Sequence, residues 1–147
     1  MTNFQTAVPE TLSGLQARGF KSESNFVWSH HNYSDVERNV VSPTRAEQAR
    51  GYLVGRWRGV GGTSAPKLWL TEGGARLGQA QAADLTMQAE LVRLNWERMS
   101  AAAGIQMWSN YLLYADPTAN SGLGEARLGG GAPRPVWNVF ASFPSNL

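Results

Sequence analysis

Lys67-Leu68-Trp69-Leu70-Thr71-Glu72-Gly73-Gly74 is the stretch on which the fold turns. Residues 67–70 form a short apolar run of strand type, a carboxylate stands at its end, and two glycines let the chain turn away at once. In parallel α/β proteins the C-terminal ends of the strands line the ligand crevice, so a carboxylate in this place is aimed at a site. The same residues also fit a plain surface carboxylate at a strand end, and on this stretch alone the two readings have equal weight.

Working outward, the pattern repeats. Residues 25–30, Asn25-Phe26-Val27-Trp28-Ser29-His30, form a second run of strand type that leads into the polar His31-Asn32-Tyr33-Ser34-Asp35. A third, Ile105-Gln106-Met107-Trp108-Ser109-Asn110, passes into residues 111–116. Helical patterns separate them. Val8, Leu12 and Leu15 share one face over 8–18, with Gly19 where a helix stops. Thr44-Arg45-Ala46-Glu47 reads as a capping box, in which hydroxyl and carboxylate each satisfy a free backbone N–H. Ala46, Ala49, Leu53 and Trp57 then recur at spacings of three and four, and Gly59, Gly61 and Gly62 close the helix. The longest pattern runs over 80–103, with Leu85, Ala89, Val92, Trp96 and Met99 as its inward stripe. After a Gly- and Pro-rich loop at 117–135, Pro135 suits the first turn of a last short helix over 136–143. Strands alternating with helices predict an α/β fold, a single domain over 1–147 with about three parallel strands and three to four helices. Trp28, Trp69 and Trp96 are expected in the core, and Trp57 and Trp137 as packing residues on their helices.

Bulk composition narrows the function classes. The chain has 147 residues, the size of one domain and too short for a complete (β/α)8 barrel of roughly 250. Hydrophobic residues at 42% and charged residues at 16% supply a core and argue against disorder. A net charge of +2, from 11 arginines and two lysines scattered along the chain, does not make a nucleic-acid footprint. The densest group, Arg45, Arg50, Arg56 and Arg58, reads as a solvated helix face. With no cysteine there are no disulfides, thiolate metal sites or cysteine nucleophiles. His30 and His31 are adjacent, so a strand turns them to opposite faces, and no third histidine exists to complete a metal site. The first 14 residues lack the pattern of a signal peptide, and no run approaches the ~18 apolar residues of a membrane span. A soluble chain that stays where it is made is the expectation, although a longer parent could be secreted. The glycine clusters at 59–62 and 129–131 lack the context of phosphate loops. The Ala, Gly and Arg content suits a GC-rich bacterial source.

The segment ending Thr71-Glu72-Gly73 resembles the seventh-strand motif of clan A glycoside hydrolases, the retaining (β/α)8-barrel enzymes, whose nucleophile stands in a run such as Thr-Glu-Phe-Gly. Gly73 stands where that clan usually carries an aromatic or bulky residue. His31-Asn32-Tyr33 is similar to the His-x-Tyr at the end of strand six, Trp108 to the strand-eight tryptophan that floors the sugar subsite, and Arg134-Pro135-Val136-Trp137 to the clan's last helix start. The four motifs occur in the right order, one β-α unit apart, over about 12–143. The resemblance implies that Glu72 is the nucleophile, Tyr33 its hydrogen-bonding partner, His31 a hydroxyl or carboxylate contact and Trp108 the platform. It implies a carbohydrate ligand and no cofactor or metal. A retaining glycosidase needs this chemistry because one carboxylate attacks the anomeric carbon while a second, about 5–5.5 Å away, protonates the leaving oxygen.

That second carboxylate is the missing part. In the clan it follows strand four within Asn-Glu-Pro or a variant, and no Asn-Glu pair occurs in this chain. The chain is therefore expected to correspond to the last three β-α units, a half-barrel. Asp35, Asp116 and Glu125 are the candidates for a substitute. Three parallel strands cut from a barrel leave two open edges and an apolar inner face, which predicts a homodimer or a complementary N-terminal half. Two other function classes compete with the hydrolase: a non-catalytic carbohydrate-binding or interaction protein, and an unrelated α/β domain. In the last case Tyr33, Glu72 and Trp108 have no reason to meet.

Overall fold

A computed structural model describes residues 4–20, 26–41, 43–111 and 133–144. In chain order it contains α1 (Phe4–Ala17), β1 (Val27–His31), α2 (Tyr33–Glu37), α3 (Arg45–Gly59), β2 (Lys67–Gly73), α4 (Leu85–Ala101), β3 (Ile105–Asn110) and α5 (Pro135–Ala141). The strands form one parallel sheet in the order β1-β2-β3, so each neighbour in sequence is a neighbour in space. The fold is mixed α/β, with five helices among the described residues where three to four were expected. The addition is α2, five residues long and too short to show a periodicity. No helix among the described residues is long and apolar enough to cross a membrane.

Local chemistry sets the helix ends. The capping box of α3 is formed in both directions: Glu47 N donates to Thr44 Oγ1 (3.1 Å) and Thr44 N to Glu47 Oε2 (2.7 Å). α4 starts later than its pattern suggested. Ala80 has φ +47°, outside the helical range, and Asp84 accepts from Thr86 N (2.9 Å) and Met87 N (2.8 Å), so the cap lies there. The buried side of α4 is accordingly Gln88, Ala89, Leu91, Val92, Asn95 and Met99. Leu85, at its very start, is exposed, and Trp96 is half-buried and stacks on Phe143 at 4.5 Å.

The two faces of the sheet differ. Leu68 and Leu70 of β2 are fully buried and pack with Ala46 of α3 and Met99 of α4, each contributing roughly 1.5–3 kcal/mol of apolar burial. α1 adds Val8 and Leu12 against Leu53 and Trp57 of α3, and α5 adds Val136 beneath α4. Alternate residues point the other way, and Val27, Trp69 and Met107, one from each strand, are exposed. Trp69, 41% exposed, is thus no core residue, because it lies between Leu68 and Leu70 in a strand covered on one side. Trp137 is exposed as well, since the buried residue of α5 is Val136.

Candidate active site

The C-terminal ends of the strands gather the polar residues, and an irregularity in the pairing decides which way they face. Strict alternation would send Glu72 to the side of Leu68 and Leu70, into the helices. The register shifts between His30 and His31, however: His30 pairs with Leu70, but His31 pairs with Glu72. The extra residue on β2 turns Glu72 toward the open side, where His31 follows Val27 and Ser29. Thr71 faces the same way, its Oγ1 2.5 Å from Ser29 Oγ.

Three of the predicted residues meet at this point. Tyr33 Oη donates to Glu72 Oε2 at 3.2 Å, and His31 Nδ1 lies 3.6 Å from the same oxygen. The Glu72 side chain is 38% exposed, open enough for a ligand to reach its carboxylate. The Tyr33 phenol is held well above its ordinary pKa, first by burial and then by the Glu72 charge beside it, so it remains a hydrogen-bond donor. Backbone bonds clamp the strand end from both sides: Asn32 N donates to Glu72 O (3.0 Å) and Tyr111 N to Gly73 O (2.7 Å).

Trp108 reaches the site from behind. It pairs with Leu70 across the strands, so its ring is on the helix side, with Phe140 and Phe143 at centroid distances of 6.4 and 6.3 Å. Its Nε1 edge faces the Cα of Gly73, and a Cβ there would lie 2.8 Å from that nitrogen and overlap Asn32 Oδ1. Glycine at 73, where the resembling motif carries a bulky residue, is therefore required by Asn32 and Trp108. Asn32 is itself buried and donates from Nδ2 to Asn95 Oδ1 of α4 at 3.2 Å.

The expected substitutes for a second carboxylate fare differently. Asp35 is 2% exposed and caps α3: its oxygens accept from Arg45 N (2.8 Å) and Ala46 N (2.9 Å). That role corrects the expectation that it turns toward Glu72. Asp116 and Glu125 lie outside the described residues. Among the described residues no group of three or more His, Asp and Glu is placed to hold a metal ion.

Two neighbours escaped the sequence reading. Glu37, at the end of α2, takes a bidentate pair from Arg76, with Nε to Oε1 at 2.5 Å and Nη2 to Oε2 at 3.0 Å. The guanidinium carbon of Arg76 also stands 5.3 Å from the centre of the Tyr33 ring. The available signal was spacing: Glu37 follows Tyr33 by one helical turn. No protein-family model matches the chain, and neither does any curated protein or solved structure.

Proposed function

We propose that the chain is a retaining glycoside hydrolase or a fragment of one, corresponding to the last β-α units of a (β/α)8 barrel. Glu72 is its nucleophile, Tyr33 the donor that orients it and His31 a second contact, whereas Trp108, the platform the resemblance implies, packs on the helix side behind Gly73. The observation that carries the reading is the Tyr33 hydroxyl on Glu72 Oε2, flanked by His31, at the C-terminal end of a parallel sheet. Sequential strand order with one face covered by helices is the arrangement a barrel segment needs, whereas a doubly wound sheet carries helices on both faces. Parallel sheets are normally buried on both sides, so the open face with Val27, Trp69 and Met107 suits a complementary N-terminal half that closes the barrel and brings the acid/base carboxylate. A homodimer is the alternative closure, and sedimentation of the chain alone separates the two.

A specific observation favours a second reading, non-catalytic carbohydrate binding. Asp35 and Glu37, the acids nearest in sequence to Tyr33, are engaged with α3 and Arg76, so neither is free to protonate a leaving group.

One experiment addresses both readings. Activated 2-deoxy-2-fluoroglycosides with a dinitrophenolate leaving group need no acid, because the phenolate departs unaided as the carboxylate oxygen bonds to the anomeric carbon. Incubating the chain with a panel of such sugars should add one glycosyl mass to the peptide containing Glu72, and Glu72→Gln should abolish it. Sugar binding without labelling would replace the hydrolase reading by the binding one. Neither labelling nor binding across the panel would remove both.

A further inference from the structure

The geometry points to Arg76 as a positioning residue that fixes Tyr33 against Glu72, through a second rung parallel to the Tyr33–Glu72 hydrogen bond. The inference rests on the reading of Glu72 as the reacting carboxylate, and extends it to a residue that no motif singled out. Tyr33 and Glu37 are four residues apart on α2 and so share one face. Glu72 and Arg76 are likewise four apart, at the end of β2 and in the turn beyond it. Two contacts join these segments: Tyr33 Oη to Glu72 Oε2, and the Arg76 fork to Glu37. Arg76 N adds a longer contact to Glu37 Oε1 at 3.4 Å.

The rungs are not independent. The bidentate pair fixes the plane of the guanidinium, and in that position it stands over the Tyr33 ring at 5.3 Å. A phenol ring with a cation on one face has less freedom to rotate its hydroxyl off a neighbouring acceptor. Burial differs along the chain of contacts: the Glu37 side chain is 8% exposed and that of Arg76 42%. The anchor is thus interior, and the arm that reaches the site lies at its rim. The contacts of the Arg76 guanidinium are with Glu37 and the Tyr33 ring. It acts through Tyr33.

The test reads the Tyr33–Glu72 contact without any sugar. With 13C-labelled glutamate in the intact chain, the Glu72 carboxyl resonance is assigned by its loss in Glu72→Gln. Tyr33→Phe removes the hydrogen bond and shifts the resonance. Arg76→Gln should shift it in the same direction, and should add nothing in the Tyr33→Phe background. An unchanged resonance in Arg76→Gln, or an equal shift in both backgrounds, would overturn the inference, the latter by showing a direct field effect. Because Arg76→Gln leaves Glu37 buried without its partner, a measurement on the unmodified chain stands beside it. The Arg76 side-chain protons should be displaced upfield by the Tyr33 ring, and ordinary shifts there would also overturn the inference. Failure of glycosyl labelling with the coupling present would reject the nucleophile and keep the positioning; labelling without the coupling would do the reverse.

Discussion

The chain just beyond β1 and the chain at the end of β2 both carry acidic residues at the mouth of the same sheet, with opposite fates. Past β1, Asp35 is buried with two backbone N–H groups of α3 on its oxygens, and Glu37 is buried under the fork of Arg76. At the end of β2, Glu72 holds a side-chain hydroxyl and a histidine nitrogen at one oxygen and keeps an accessible surface. A carboxylate whose acceptors are filled by backbone donors or by an arginine is tied to the fold. One met by a phenol and an imidazole at a strand mouth is available to a ligand. Proximity to a strand end does not separate the two kinds; the partners do.

The largest effect that tests this contrast is on stability at Asp35. Asp35→Ala leaves the N–H groups of Arg45 and Ala46 without their acceptors and should lower the unfolding free energy by roughly 2–3 kcal/mol, read as a fall in the urea midpoint. Glu72→Gln, isosteric and half-exposed, should stay within about 0.5 kcal/mol of the parent. Equal losses in the two variants would erase the distinction between structural and available carboxylates.

A smaller effect is expected where the two regions touch. Gly73 is in contact with Asn32 from the β1 side and with Trp108 from the β3 side. A methyl group there displaces the Asn32 amide, which is tied to Asn95, or tilts the Trp108 indole. Gly73→Ala should therefore cost about 1–3 kcal/mol, the range for overpacking, and should perturb Trp108 fluorescence in the folded chain. Asn32→Ala removes the closer of the two contacts, so in that background the penalty for Gly73→Ala should shrink. A penalty unchanged in that background would show that Trp108, whose Nε1 would lie 2.8 Å from the added Cβ, sets the cost.

What was legible in the sequence was local. The strand cores and the Thr44 capping box each depend on residues a few positions apart, and the fold keeps them. What was not legible depends on contacts between segments distant in the chain. The pairing shift that turns Glu72 to the open side exists only once β1 lies beside β2, and alternation alone gives the opposite orientation. The Arg76–Glu37 pair joins residues on two separate β-α units and leaves no pattern in either. Trp69 and Trp137 mislead for a related reason, since apolarity says that a side chain gains by burial but not whether a neighbour exists to cover it. α2 was missed because five residues hold barely more than one turn.

The smallest of the expected effects belongs to the two histidines that end β1, which repeat the contrast within one dipeptide. His31 turns to the site, whereas His30, half-buried on the helix side, has its pKa lowered by burial, against an opposing attraction from Asp35 and with a small further push from His31. The sign follows from linkage. Above the unfolded value of about 6.5 both states hold a neutral imidazole, and the stability His30 contributes is fully present. As pH falls below that value the unfolded chain takes up the proton first, and stability declines until the folded state titrates too. The urea midpoint should therefore drop between pH 7.5 and pH 5.5 by more in the parent than in His30→Gln. If the two fell in parallel, the burial of His30 would carry no energetic weight. If His30→Gln fell further, the Asp35 attraction would outweigh burial, and Asp35 would act as a charge partner as well as a cap.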